Sequence, residues 1–305
     1  MLEKLKRHYK DALIVADTAF DDNYLWFSSD SRTLFGIRKN AISEKEAQLL
    51  GTLFETDDYP PNLMTEEQTR WYQYLYSGDS NRNVPRSNFS RCRFIHFFTS
   101  KAISDKQNFQ LATESLFPSE VIVVWENTHS GIIIEKMNDQ YMTEITNLED
   151  VVDIFTSDFY LDVNMLTGQI YSLDSDVKSQ FEFERLCFKT AMKYIHKQKV
   201  FSIQDVIPLF LLENVDPIKR QKISNVLLPN LQDNLDQLKT IKVFLESNLN
   251  VSSAAKKLYM HRNSLQYRID KFIEQTGIDI KHFHGAVTVF LAILVIEHFN
   301  EPPDS

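Results

Sequence analysis

Residues 250–269 read Asn-Val-Ser-Ser-Ala-Ala-Lys-Lys-Leu-Tyr-Met-His-Arg-Asn-Ser-Leu-Gln-Tyr-Arg-Ile, two apolar periods separated by a polar corner. Ser252 suits the N-cap of a first helix, because its hydroxyl can accept from an orphan amide of the first turn. Ala254, Ala255 and Leu258 give that helix a small apolar face. After Tyr259 and Met260 comes the polar run His261 to Ser264, and a second apolar period then starts at Leu265 and continues through Ile269, Phe272 and Ile273. The spacing predicts two helices joined by a tight corner, a helix-turn-helix. At about 100° per residue, the four apolar side chains share one arc, while Asn263, Ser264, Tyr267 and Lys271 fall on the opposite one. Amide, hydroxyl and aromatic groups on an outward arc can reach base edges. Gln266 and Arg268 lie at the margins of that arc, where they would meet phosphates, and Arg262 in the first turn can extend past the helix end to do the same. His261, at the helix start, is placed for a phosphate or a base. The DNA-contacting set expected from spacing is therefore Ser252, His261, Arg262, Asn263, Ser264, Gln266, Tyr267, Arg268 and Lys271.

Charge separates this reading from an ordinary amphipathic hairpin. Residues 235–275 hold seven Lys or Arg against four Asp or Glu, a balance of +3, within a chain of 305 residues whose net charge is −9. A locally basic module on an acidic protein is what attraction to phosphates requires. Asp270 and Glu274 also lie on the outward arc, so only the first two turns are expected to approach DNA closely.

Working outward, Leu238, Ile241, Phe244 and Leu245 form a leading helix, and Thr276-Gly277 with Asp279 closes the second one. Together with Asn250-Val251-Ser252, Ala254-Ala255, Leu258, His261-Arg262-Asn263, Leu265 and Tyr267-Arg268-Ile269, this stretch resembles the C-terminal helix-turn-helix of the PucR and CdaR (sugar diacid regulator) family of bacterial transcription factors. The match includes polar surface positions as well as core ones and covers about a fifth of the chain. Ser264 stands where that family commonly has Thr, and Gln266 where Arg is frequent. The resemblance implies a transcription regulator that binds double-stranded DNA and senses a small-molecule effector through its N-terminal region; the expected location is the cytoplasm and the expected state a homodimer. No motif identifies that effector, and no cofactor is expected. Two other readings stay open from sequence: a protein-interaction adaptor that keeps the helix-turn-helix as a docking surface, and a ligand-binding enzyme in the central α+β unit.

Ala286 to Ile296 are eleven residues without a charge, too short for a bilayer, which takes about 20, and read as a buried helix. Being apolar on all sides, it is covered either within its own domain or by a second subunit. In a dimer, two recognition helices about 34 Å apart would read a palindromic site.

Upstream, the expected fold class is α+β and multidomain. Residues 1–80 form a small mixed domain that would serve as sensor, 89–200 a central α+β domain, 201–234 a helical lead-in and 235–300 the all-α DNA-binding domain. In the first, a charged helix leads to Ala12-Leu13-Ile14-Val15, a hairpin from Tyr24 to Ile37 around Ser28-Ser29-Asp30-Ser31, and a helix from Ser43 whose Ser43-Glu44-Lys45-Glu46 start is a capping box. Asp57 to Pro61 reads as a boundary, and Ser77 to Asn88 as a connector. The central domain shows a strand at Cys92–Thr99, a helix at Asp105–Phe117, and a hairpin of Val121–Trp125 with Gly131–Lys136. A helix at Leu148–Thr156, a second hairpin of Phe159–Asn164 with Gln169–Ser172, and a long helix from Ser175 to Lys197 complete it. In the resembling family a degenerate domain akin to diguanylate cyclases often occupies this position. No Gly-Gly-Asp-Glu-Phe turn occurs, so cyclase activity is not expected.

An enzyme is not expected either. Seven glycines form no phosphate-binding loop. His282-Phe283-His284 has no Cys or carboxylate at ligand spacing, so no metal is expected. His129-Ser130-Gly131 lacks a nucleophile elbow, and Cys92 and Cys187 read as reduced thiols. The aromatic groups Phe20, Tyr24, Trp26, Phe27 and Trp71, Tyr72, Tyr74, Tyr76 are core or the lining of a ligand pocket.

Overall fold

The computed structural model describes residues 2–15, 24–28, 34–56, 64–76, 83–85, 88–103, 105–137, 146–229 and 234–299. They divide into two compact units, Met1–Phe188 with His196–Ile203, and Lys189–Ile195 with Gln204–Ser305. The fold is mixed α+β, and its C-terminal part is helical throughout.

The first unit begins with α1 (Leu2–Tyr9), β1 (Leu13–Val15), β2 (Tyr24–Ser28), β3 (Leu34–Arg38), α2 (Glu44–Leu53) and β4 (Glu55–Thr56). The four strands form an antiparallel sheet in the order β1-β3-β2-β4. Phe27 pairs with Phe35 across it, and both pack with Leu13, Ile37, Leu50 and Phe54. Ser43 caps α2 as its spacing predicts: its hydroxyl accepts from the Glu46 amide, and the Glu46 carboxylate accepts from the Ser43 amide at 2.9 Å. Residues 29–33 of the first hairpin, the boundary at Asp57–Pro61 and most of the connector from Ser77 lie outside the described residues.

A larger layered arrangement follows, made of α3 (Glu66–Tyr76), β5 (Arg91–Thr99), α4 (Lys106–Leu116), β6 (Val121–Trp125), β7 (Ser130–Met137), α5 (Leu148–Asp158), β8 (Val163–Ser172), α6 (Val177–Tyr194) and β9 (Val200–Ser202). The sheet runs β6-β7-β5-β8-β9, antiparallel except for the β8–β9 pair. Helices cover both faces, which is why β5 is buried along nearly all its length without an alternating pattern. Phe97, Phe109, Trp125 and Phe155 fill one side, and Trp71, Phe94, Val124 and Phe181 fill the other. Of the two aromatic groups, Trp26, Phe27, Trp71 and Tyr74 are therefore core.

The second hairpin expected in this region is absent, because residues 163–172 form one continuous strand. Gly168 is a bulge in it, where the register with β5 slips between Arg93 and Ile95. A side chain there would collide with a buried carboxylate: a Cβ on Gly168 would stand 2.1 Å from Glu184 Oε2. Glu184 occupies that space to satisfy the bulge. It accepts from the Gln169 amide at 2.8 Å and from the Tyr171 hydroxyl at 2.7 Å, and His96 Nε2 lies 3.5 Å from its other oxygen. A second buried pair, Arg93 with Glu135 at 2.7 Å, ties β5 to β7. Cys92 and Cys187 are free and buried, and burial, reinforced by the charge of Glu184, pushes their thiols up to about 12 and about 11. Thiols held protonated in this way are poor nucleophiles.

The second unit contains α7 (Ile203–Glu213), α8 (Pro217–Leu227), α9 (Leu235–Glu246), α10 (Val251–Lys257), α11 (Arg262–Thr276) and α12 (Phe283–Phe299). Its main core joins Leu238, Ile241 and Phe244 of α9, Ala254 and Ala255 of α10, Leu265, Ile269 and Phe272 of α11, and Val289, Ala292, Ile293 and Ile296 of α12. The opposite side of α12 is covered as well. Leu291, Leu294 and Val295 pack with Leu209 and Leu212 of α7 and with Tyr194 and Ile195. Val289 and Ala292 to Ile296 of the uncharged run are thus buried within their own unit, while Val287 stays 40% exposed. No helix among the described residues is long and apolar enough to cross a membrane.

Candidate nucleic-acid interface

Asn250, rather than Ser252, is the N-cap of α10; its side chain accepts from the Ser253 amide at 3.0 Å. Both are good capping residues, and the choice follows from Val251, which already packs on the main core as the first helical residue. Ser252 is left exposed in the first turn. Small Ala254 and Ala255 face inward, 0% and 3% exposed, and allow close packing of α10 on α9 and α11.

The corner between α10 and α11 is a Schellman motif, in which the amide of Met260 donates to the Ala255 carbonyl at 2.9 Å and that of Tyr259 to the Lys256 carbonyl at 3.2 Å. The motif needs a left-handed residue, normally glycine, and here Tyr259 fills it with φ 52°. For a non-glycine residue that conformation costs about 1–2 kcal/mol. His261 then caps α11, its Nδ1 accepting from the Asn263 amide at 3.3 Å. In the neutral ring this leaves the proton on Nε2, as a donor free of the capping role. At the far end Gly277, at φ 71°, terminates α11 with its amide on the Ile273 carbonyl at 2.8 Å. Gly285 in α12 permits another close approach, since a Cβ there would stand 2.1 Å from the Asp279 carbonyl oxygen.

Between these caps, Leu265, Ile269 and Phe272 are fully buried. Arg262, Asn263, Ser264, Tyr267, Arg268 and Lys271 are exposed, with Tyr267 at 68%. Two residues of the expected set have internal partners, one an i,i+4 neighbour on α11 and the other on a different helix, which spacing does not reveal. Arg268 lies 3.4 Å from the Thr240 hydroxyl of α9, and Gln266 donates to Asp270 at 3.0 Å. Asp270 also receives Lys281 at 2.8 Å, and these hydrogen bonds, with the lysine's charge, hold its carboxyl below the usual range. The one acid in the middle of the outward face is therefore locally neutralised, while Glu274 lies a turn further from the corner. Three further exposed residues adjoin the site: Lys256 and Lys257 in the last turn of α10, and Tyr259, 98% exposed. The paired lysines were legible as charge next to the corner; the left-handed tyrosine was not.

The described residues hold no group of three or more His, Cys, Asp or Glu arranged for a metal ion. His282 is exposed and sits 3.4 Å from Asp279.

Residues 237–295 match the PucR C-terminal helix-turn-helix domain. Over nearly its whole length the chain is 30% identical to the uncharacterized protein YxkF of Bacillus subtilis, covering 96% of this chain and 98% of that one. It is 23% identical to a leucine-rich protein of Streptococcus dysgalactiae subsp. equisimilis, over 84% of this chain and 87% of the other. The purine catabolism regulatory protein of Bacillus subtilis is 33% identical over 79% of this chain, which spans only 46% of that regulator. The buried faces of α9 to α12 and the polar face of α11 thus belong to a domain shared with named regulators, and the chain is a member of the PucR/CdaR-type family of regulators with the PucR helix-turn-helix at its C-terminus.

Proposed function

We propose that the chain regulates transcription by binding double-stranded DNA sequence-specifically, with the first two turns of α11 in a major groove. The observation that carries this reading is the face of α11 itself. Asn263, Ser264 and Tyr267 are exposed above a fully buried Leu265-Ile269-Phe272 stripe, in a locally basic segment of an acidic chain. An amide can bond adenine bidentately, and a hydroxyl can either donate to or accept from a base edge. Arg262, Lys271 and the His261 Nε2–H are the phosphate-directed groups, and they position the helix without reading sequence. Arg268 holds α11 to α9 through Thr240 and contributes charge from that position. The protein works as a non-enzymatic homodimer in the cytoplasm, pairing two such helices on a two-fold site.

A small-molecule effector acting through the first unit completes the proposal. A cavity of about 410 Å³ between the end of α4 and the start of α5, lined in part by Ser115, Asn147 and Asp150, has the size for one. The relatives offer two precedents for metabolic signals, a purine catabolism regulatory protein and a proline-responsive transcriptional activator.

The test is recovery of bound DNA from the host genome, with an Arg262→Ala, Asn263→Ala double variant as control. Discrete peaks that share a two-fold sequence and vanish in the variant are expected. An empty map at matched expression rejects the regulator and favours an adaptor that uses the helix-turn-helix for docking.

A further inference from the structure

Tyr259 presents a problem that the free protein does not solve. Its ring is 98% exposed, so it packs on nothing, and its backbone sits at φ 52° in a position that glycine would fill without strain. The corner hydrogen bonds are all main-chain bonds, from the amides of Leu258, Tyr259 and Met260, and any residue able to adopt the conformation would make them. Strain kept where no local contact repays it points to a role in a bound state. The two residues at the end of α10, Lys256 and Lys257, are also exposed. Cations suit the negative end of a helix, which explains them in part; Tyr259 has no such local reason.

We infer that Tyr259, with Lys256 and Lys257, forms a second DNA contact that grips the sugar-phosphate backbone beside the groove entered by α11. This rests on the proposed DNA reading and adds a contact to it. The corner directly precedes the capped start of α11, so a helix inserted by its N-terminal turns brings the corner against the flanking strand, and the first helix of such a pair crosses the backbone. Apolar ring edges pack on deoxyribose, the phenol donates to a phosphate oxygen, and the two ammonium groups neutralise neighbouring phosphates. None of these contacts reads a base, so the patch adds affinity equally on all sequences.

The experiment compares wild type, Tyr259→Gly, Lys256→Ala with Lys257→Ala, and Asn263→Ala. Binding is measured on duplexes that the wild-type protein enriches from a random pool and on an unrelated duplex, alongside thermal unfolding and sedimentation without DNA. Tyr259→Gly is expected to raise the unfolding midpoint by about 2–4 °C as strain is relieved, yet to weaken both duplexes by about tenfold, the loss from exposing a half-buried ring. The lysine pair should lower the salt slope by about 1.8. Opposite signs on stability and binding are the signature of a residue kept for its partner. The inference is overturned if Tyr259→Gly leaves both affinities within about twofold while Asn263→Ala weakens the enriched duplex, a result that spares the DNA reading. It is equally overturned if the midpoint falls, which makes Tyr259 a support of the corner, or if sedimentation changes, which makes the ring a protein contact. A wild-type protein that enriches no sequence and binds without salt dependence brings down the DNA reading itself, and this inference with it.

Discussion

Raising the salt concentration isolates the phosphate contribution to binding, and the exposed cations around the corner set its size. Five lie between residues 256 and 271: Lys256, Lys257, Arg262, Arg268 and Lys271. Asp270 subtracts little, because Lys281 at 2.8 Å already balances it. If each of the five displaces one counterion, the logarithm of affinity falls with the logarithm of salt at a slope of about −4.5 per recognition unit. If Arg268 stays on the Thr240 hydroxyl and meets no phosphate, four cations give a slope of about −3.6. From about 50 to 200 mM salt these slopes mean losses of roughly 500-fold and roughly 150-fold, and a dimer with both helices engaged doubles each exponent. Fluorescence anisotropy of a labelled duplex across a salt series measures the slope directly. Arg262→Ala should make it shallower by about 0.9, and Thr240→Val, which frees Arg268, should steepen it toward the five-cation value. A slope shallower than about −1, or one untouched by Arg262→Ala, would refute the assignment of this face to phosphates.

Other expectations follow from individual contacts. Gly277→Ala should destabilise by about 1 kcal/mol, because φ is 71° and a Cβ there meets nothing within 4 Å, so the cost is conformational alone; a denaturant midpoint equal to wild type contradicts it. Leu291→Glu places a carboxylate against Leu209, Leu212 and Val295 and should cost about 2–4 kcal/mol, with loss of helical signal from the second unit. Folded monomers obtained from a dimeric wild type would instead restore the subunit seam on α12. Glu184→Ala strips the acceptor from the Gln169 amide and the Tyr171 hydroxyl and should cost about 2–4 kcal/mol in urea unfolding; a change below about 0.5 kcal/mol means the bulge needs no carboxylate. For Glu213, burial opposes ionisation but is outweighed by hydrogen bonds from Lys193 and Thr190, both 2.8 Å away, so its folded pKa lies below the ordinary carboxylate value. Its stabilising contribution is present above the unfolded pKa of about 4.3 and is lost as pH falls through the depressed folded value. Glu213→Gln should flatten that acid limb of the stability profile, and an unchanged limb excludes the pair as its source.

Local patterns carried the sequence reading wherever the determinant lies within one turn or one strand. The capping box at Ser43 spans four residues, and the buried arc of α11 repeats every three or four, so both could be seen in the chain itself. The readings that failed depend on partners distant in sequence. Gly168 reads as a turn between two short strands because its real neighbour, the Glu184 carboxylate, is 16 residues away on α6. Ser252 and Asn250 are equivalent caps until the packing of Val251 decides between them. The uncharged run in α12 left open a second subunit because nothing in its own period names α7, about 80 residues earlier, as the element that covers it.

Arg268 and Tyr259 mark the same boundary within the interface. Periodicity places Arg268 at the margin of the outward arc, but only the fold brings the α9 hydroxyl within 3.4 Å of its guanidinium, which gives the expected phosphate group a partner on a neighbouring helix. Tyr259 is the reverse case. A tyrosine between two helices looks like a residue with somewhere to pack, and the structure gives it nowhere, holding it left-handed and 98% exposed. Sequence therefore overstates what Arg268 has free to offer and is silent on the left-handed, exposed conformation of Tyr259. The two can be separated by one comparison: Thr240→Val alters binding by releasing a charge and so changes the salt slope, whereas Tyr259→Gly removes apolar contact and should lower affinity with little change in that slope.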